Sequence, residues 1–169
     1  MKRIAFLIVF TIFSLSTVLC QKYGHLNFGN LIADMPQTES ANKELEAYQK
    51  QLVAKGEEMA KNLQIEFEGL LNEANQGNLS PLQQQEAEAD LQKKEQDIRT
   101  YEQEVRQKVE KKRQELLGPI MEKADEAIKA VAQENGYELI FDTSVFNAIL
   151  FAQDSDDVMP LVKAKLGLQ

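Results

Sequence analysis

The chain has 169 residues, a length typical of one domain, and a formal net charge of −8. It contains one His, one Cys and no Trp, and neither a Gly-rich phosphate loop nor metal-ligand spacing is evident. These features argue against an enzyme and predict no cofactor or metal. The acidic charge argues against binding to nucleic acid and against strong attraction to anionic membranes.

The first 20 residues are typical of an export signal. Lys2 and Arg3 precede an apolar stretch, residues 4–13, that is too short for a convincing membrane span. We expect cleavage after Cys20, which leaves a mature chain without cysteine and with a formal charge of −10. Lipid attachment at Cys20 is the alternative, and the bulky Leu19 disfavours it.

The first elements of the mature chain are a predicted strand and a long helix. Leu26 and Phe28 alternate with polar residues, which predicts a strand over 22–31. Pro36 disfavours helix immediately before it, so we expect the helix to begin between residues 37 and 40. Apolar residues then recur in steps of three, four and seven, the pattern of one apolar helix stripe. They are Leu45, Tyr48, Leu52, Met59, Leu63, Phe67, Leu70 and Ala74.

Charged residues four positions apart support the exposed face of this helix. Glu46 with Lys50, and Glu57 with Lys61, stand in the favourable order for ion pairs.

A turn is predicted between this helix and the next. Gly77 suits the position after a helix end, and Pro81 suits the first position of a helix. Ser80 and Gln83 form a Ser-x-x-Gln capping box. One helix therefore ends here and another begins.

The second helix is predicted from Pro81 toward residue 135. At about 1.5 Å per residue it could approach 80 Å. Gly118 and Pro119 interrupt it, and a proline inside a helix removes a hydrogen bond, so we expect a kink there. Its apolar stripe is Leu91, Ile98, Tyr101, Val105, Val109, Leu116, Ile120, Ala124, Ile128 and Val131.

The C-terminal part is predicted to contain two strands and a short helix. Residues 137–142 and 146–152 have strand composition, and a hairpin turn is expected between them. Pro160 at a first helical position begins a helix that reaches about Leu166. The single histidine, His25, is expected to be structural because it has no evident catalytic partners.

The order of these elements resembles the Skp (OmpH) family of periplasmic chaperones over residues 22–166. The most specific parts are residues 130–142 (AVAQENGYELIFD) and 117–120 (LGPI). The resemblance implies a homotrimer whose helical hairpins surround a cavity and hold unfolded outer-membrane proteins without ATP. The best-known members are basic whereas this chain is acidic, so lipopolysaccharide binding is not carried over.

These inferences together define the expected organisation. We expect an α+β, mostly α protein with a long antiparallel helical hairpin on a small β-containing body that trimerises. Residues 1–20 are the signal peptide, 37–118 the hairpin arm, and 21–36 with 119–169 the body. Apolar residues near the hairpin tip are the candidate client contacts: Met59, Leu63, Phe67, Leu70 and Leu71.

The function expected on this basis is a periplasmic holdase for unfolded outer-membrane proteins. The alternative is an exported coiled-coil structural or adaptor protein that binds one folded partner.

Overall fold

A computed structural model describes residues 21–168, so the predicted signal peptide, its cleavage site and Cys20 lie outside the described residues. Two long helices dominate, and the only sheet in the described part has two strands. The elements in chain order are β1 (Lys22–Leu26), α1 (Phe28–Asp34), α2 (Pro36–Asn75), α3 (Pro81–Asn135), β2 (Tyr137–Asp142), a 3-10 turn (Asp154–Asp156) and α4 (Met159–Leu166). The predicted fold class, mostly α with a small β part, is confirmed.

The described chain divides into two compact units. The sheet unit contains residues 21–31 and 124–168, and the hairpin unit contains Ile32–Lys123.

In the sheet unit, β1 and β2 pair in parallel, with Tyr23 opposite Leu139 and His25 opposite Phe141. Parallel strands require a long crossover, and α1, α2 and α3 lie between these two in sequence. The buried apolar residues of this unit are Leu26, Leu31, Ala124, Ala127, Val131, Val158 and Val162. These side chains come from β1, α1, the end of α3 and the α4 region, and their removal from water stabilises the unit.

The predicted strand over residues 22–31 is wrong in its second half, because α1 begins at Phe28. Two side chains start this helix. The Asn27 Oδ1 accepts a hydrogen bond from the Asn30 N–H at 2.8 Å, and the Asp142 Oδ1 accepts one from the Phe28 N–H at 3.1 Å. Capping of the first N–H groups by Asn and Asp oxygens favours helix over continued strand.

The predicted second strand over residues 146–152 is also wrong. These residues form turns and irregular backbone, and β2 pairs with β1 instead. Asn147 has φ 59°, which is incompatible with an extended strand.

The hairpin unit contains α2 and the first part of α3, and the predicted turn between them is confirmed. Gly77 has φ +70°, the left-handed conformation that favours glycine after a helix end. The Ser80 N–H donates to the Gln83 Oε1 at 2.9 Å, and the Gln83 N–H donates to the Ser80 Oγ at 3.3 Å. This reciprocal pair is the predicted capping box.

One helix start differs from the prediction. Helix α2 begins at Pro36 itself, because proline is well suited to the first helical position. Helix α3 extends from Pro81 to Asn135 as predicted and contains Pro119, where a kink stays a prediction.

Asp142 connects β2 to the start of α1 and makes the sheet unit sensitive to acid. Its carboxylate accepts hydrogen bonds from the N–H and hydroxyl groups of Ser144 and from the Phe28 N–H. Burial raises the pKa of Asp142, but these hydrogen bonds outweigh it and hold the pKa below its ordinary value.

Because the folded pKa is depressed, the ionised Asp142 stabilises the sheet unit fully above its unfolded pKa, about 4. This contribution disappears as the pH falls through the folded pKa. We therefore expect Asp142→Asn to lower the urea midpoint of unfolding at pH 7. The fall in this midpoint between pH 7 and pH 3 should also be smaller in the variant than in the unmodified protein. Asp154→Asn, in the 3-10 turn, is the control. An unchanged difference in the Asp142→Asn variant would contradict the prediction.

Candidate functional site

Tyr101 is buried between the two helices of the hairpin. This side chain is 8% exposed, and its hydroxyl donates a hydrogen bond to the Leu52 carbonyl oxygen at 3.0 Å. Gly56 lies beside it, and a Cβ at Gly56 would stand 3.5 Å from the Tyr101 Cε1. The ammonium groups of Lys55 and Lys108 lie 5.3 and 5.7 Å from the centre of the Tyr101 ring. These contacts join α2 and α3 in the middle of the hairpin.

One side of the seam is bridged by ion pairs between the helices. Lys112 contacts Glu44 at 2.6 Å, and Lys94 contacts both Glu66 across the seam and Asp90 on its own helix. Hydrogen bonds to Asp90 and Glu66 raise the pKa of Lys94, and the one to Glu44 raises that of Lys112. These lysines remain charged at any physiological pH.

The other side of the seam is open and apolar. A cavity of about 420 Å³ lies between the helices, and its apolar lining is Leu52, Val53, Gly56, Ala60, Ile98, Tyr101 and Val105. A second cavity, of about 280 Å³, is lined by Ala60, Leu63, Gln64, Phe67, Leu91 and Glu95. Because Ala60 lines both, they form one continuous surface, which we call the open groove.

Helical periodicity separates the two sides. Ala60, Gln64 and Phe67 form one row of α2, at spacings of four and three. Met59, Asn62 and Glu66 form the neighbouring row, which lines a third cavity with Lys94. Leu63 lies between these rows and lines cavities on both sides.

The five candidate client contacts divide into two groups. Met59, Leu63 and Leu70 are half-buried. Phe67 and Leu71 are 49% and 47% exposed. All five lie on α2 near the turn, and their role in binding stays a prediction.

Sequence reasoning missed other exposed apolar residues of the hairpin unit. Val53, Ile65 and Leu82 are all exposed. They fall outside the heptad stripe, and the stripe identifies the residues that face the partner helix rather than solvent. The only signal in the sequence for these residues is that each is apolar and lies outside the stripe of a mostly polar helix.

The sheet unit carries a second exposed apolar surface. Phe146 is 90% exposed, and Val145, Leu150 and Phe151 of the same segment are also exposed. Tyr23 and Phe141, on neighbouring strands, are exposed with ring centres 6.5 Å apart. We call these six residues the sheet-unit apolar surface. Tyr23, Phe141 and Phe151 line one cavity, and exposed apolar side chains that lie together mark interaction sites on protein surfaces.

His25 has a structural position beside this surface. Its Nε2 lies 2.9 Å from the Gln153 carbonyl oxygen, and its own carbonyl oxygen accepts a hydrogen bond from the Val158 N–H at 2.9 Å. His25 thereby connects β1 to the chain before and after the 3-10 turn.

Residues 21–168 contain neither a metal-ligand cluster nor a membrane-spanning helix. No group of three or more His, Cys, Asp or Glu side chains is arranged to hold a metal ion. No helix in this part of the chain is long and apolar enough to cross a membrane.

Comparisons with known proteins agree with this architecture. The profile of the family "Outer membrane protein (OmpH-like)" matches residues 22–166. A crystal structure of a candidate outer membrane chaperone (OmpH-like) from Caulobacter crescentus CB15 superposes with a TM-score of 0.70 at 18% sequence identity. The match covers 86% of this chain and 83% of that one. No curated protein matches the sequence significantly. Since the family profile spans nearly all the described residues, the chain belongs to the OmpH-like outer membrane protein family.

Proposed function

We propose that the protein is an ATP-independent holdase chaperone that binds unfolded outer-membrane proteins in the periplasm and prevents their aggregation. The observation that carries this proposal is the open groove, with Phe67 and Leu71 exposed on a helix whose surface is otherwise mostly polar. Family membership and the likeness to a candidate outer membrane chaperone support it. The proposal assigns no enzymatic activity and no cofactor.

The physical basis of such activity is mass action on unfolded chains. A protein that binds unfolded chains needs no nucleotide if its many weak apolar contacts together bind a client more tightly than clients bind one another. A groove between two helices offers such contacts without selecting one folded shape. Met59 lines the cavity beside Lys94 rather than the open groove, and its flexible side chain is also well suited to varied apolar partners.

The proposed functional form is a homotrimer. Its support is the sheet-unit apolar surface, which a monomer leaves in water, and the small sheet, which offers unpaired strand-edge groups. Three copies would present three grooves, so that the contacts to one client act together. We propose residues 37–118 as the client-binding arm, and residues 21–36 with 119–169 as the trimerising body.

The proposed location follows from the sequence and from the family. Residues 1–20 would direct export and be removed after Cys20. Neither nucleic acid nor an anionic membrane is a proposed partner, because the chain is strongly acidic.

The test measures light scattering when a urea-denatured outer-membrane protein is diluted into buffer with the purified protein. We expect suppression of aggregation at one trimer per client. The double variant Phe67→Ser/Leu71→Ser removes the most exposed pair of candidate contacts, and about threefold to tenfold more of it should be needed. Burial of a partly exposed large apolar side chain contributes about 1 kcal/mol or more, which sets this range.

Ile65→Ser/Leu82→Ser is the matched control, because both side chains are exposed in the same arm and neither lines the open groove. It should suppress aggregation as the unmodified protein does. Absence of suppression by the unmodified protein would contradict the holdase function. Capture of a single folded protein would instead support the adaptor alternative.

A further inference from the structure

The open groove has an acidic rim. Glu57 of α2 and Glu102 of α3 both line the larger cavity, with Arg106 as the single basic residue there. Within residues 21–168 neither carboxylate takes part in an ion pair, and the Glu57–Lys61 pair expected from the sequence does not form. The groove therefore presents two carboxylates outside any ion pair of the described chain, one from each helix, and with Arg106 its rim has a formal charge of −1.

Several other carboxylates of the hairpin form ion pairs. The predicted pair between Lys50 and Glu46 forms at 2.6 Å, and Lys108 contacts Glu104 at 2.9 Å. On the bridged side of the seam, Lys112 neutralises Glu44. Among the described residues, the open groove thus has an unpaired carboxylate on each helix, whereas the bridged-side cavity has one, Asp97, beside the ion pair between Lys94 and Glu66.

The charge of the chain around the groove has the same sign. Residues 52–106, which include every residue that lines the groove, contain twelve carboxylates and six Lys or Arg side chains, a formal charge of −6. Charges on one surface sum into a potential that attracts opposite charge over about 8 Å at physiological ionic strength. A basic segment would be attracted to this part of the hairpin and an acidic segment repelled.

We propose that the open groove selects client segments in which an apolar side chain is adjacent to Lys or Arg. The apolar side chain enters the cavity beside Gly56 and Ala60, where the lining side chains are small or absent. The neighbouring cation then lies beside Glu57 and Glu102. This inference rests on the proposed holdase function and adds a preference between clients.

The experiment uses three peptides with a neutral fluorophore and identical apolar residues. The residues between the apolar ones are Lys in the first peptide, Gln in the second and Glu in the third. Fluorescence anisotropy gives the dissociation constant of each peptide for the purified protein. We expect the Lys peptide to bind about threefold to tenfold more tightly than the Gln peptide, the range for two exposed ion pairs. The Glu peptide should bind most weakly, and about 1 M salt should equalise all three.

Two charge-neutralising variants locate the preference. Glu57→Gln/Glu102→Gln should bind the Lys and Gln peptides almost equally and keep the unmodified affinity for the Gln peptide. Glu58→Gln/Glu86→Gln removes the same charge from exposed positions outside the groove, and it should keep the preference. Far-ultraviolet circular dichroism checks that both variants remain helical.

The outcomes separate this inference from the holdase function. Equal binding of the Lys and Gln peptides to the unmodified protein overturns the charge preference and leaves the holdase intact. An equal loss of preference in both double variants overturns the groove as its origin. If none of the peptides binds, both the charge preference and the holdase function are overturned. Dissociation of oligomers by the peptides in sedimentation experiments overturns the proposal, because the groove is then an interface between copies.

Discussion

Replacement of Val158 by Asp is expected to unfold the sheet unit. Val158 is 0% exposed, and its Cγ1 lies 2.7 Å from where a Cβ of Gly24 would stand. The N–H of Val158 also donates to the His25 carbonyl oxygen, which connects the start of α4 to β1. A carboxylate here would be buried without a partner, at a cost of several kcal/mol. Because whole domains are stable by only about 5–15 kcal/mol, this loss should unfold the unit.

Hydrogen exchange measured by mass spectrometry tests this expectation. Amides of β2 should lose their protection in Val158→Asp, while those of α2 between residues 41 and 63 keep theirs. Leu161→Asp is the control, since Leu161 is exposed on the same helix and should change little. Full protection of β2 in Val158→Asp would show that the burial argument is wrong.

Replacement of Tyr101 by Ala is expected to open the middle of the hairpin. Removal of a buried aromatic ring costs about 3–5 kcal/mol, and few other side chains of α2 and α3 are buried in this section. Tyr101→Phe removes only the hydroxyl that donates to the Leu52 carbonyl oxygen, so about 1 kcal/mol is expected. Loss of amide protection in residues 48–63 should therefore be large in Tyr101→Ala and small in Tyr101→Phe.

Gly56→Ala is a control that should stabilise the hairpin, whereas Tyr101→Ala should destabilise it. Its Cβ would lie 3.5 Å from the Tyr101 Cε1, an ordinary van der Waals distance. Since Gly inside a helix costs about 0.5–1 kcal/mol relative to Ala, this variant should increase protection of the same residues. Decreased protection in Gly56→Ala, or equal protection in Tyr101→Ala and the unmodified protein, would contradict the packing described around Tyr101.

Local patterns in the sequence were sufficient for the long helices. The heptad stripe and the absence of proline between residues 37 and 80 predicted α2, and the Ser80–Gln83 capping box predicted where α3 begins. Residues 137–142 were likewise predicted as a strand from their composition. Each of these elements depends on interactions among residues close in sequence, so a single sequence contains the information.

Candidate binding residues were only partly predictable. A heptad pattern identifies residues near the seam, but it does not say which side of the seam remains open. That depends on Lys94 reaching Glu66 across the helices, while Glu57 and Glu102 acquire no partner among residues 21–168. Phe67 was among the candidates, whereas Val53, on the same groove, was not.

The sequence by itself therefore determined the helical hairpin, its turn and the family resemblance. Only the tertiary structure decided that β2 pairs with β1 and that residues 146–152 form no strand. It also decided that Phe28 begins a helix, because the Asp142 carboxylate that accepts its N–H lies 114 residues away in sequence. Contacts over such distances depend on how helices and strands pack, and periodicity within one segment does not encode them.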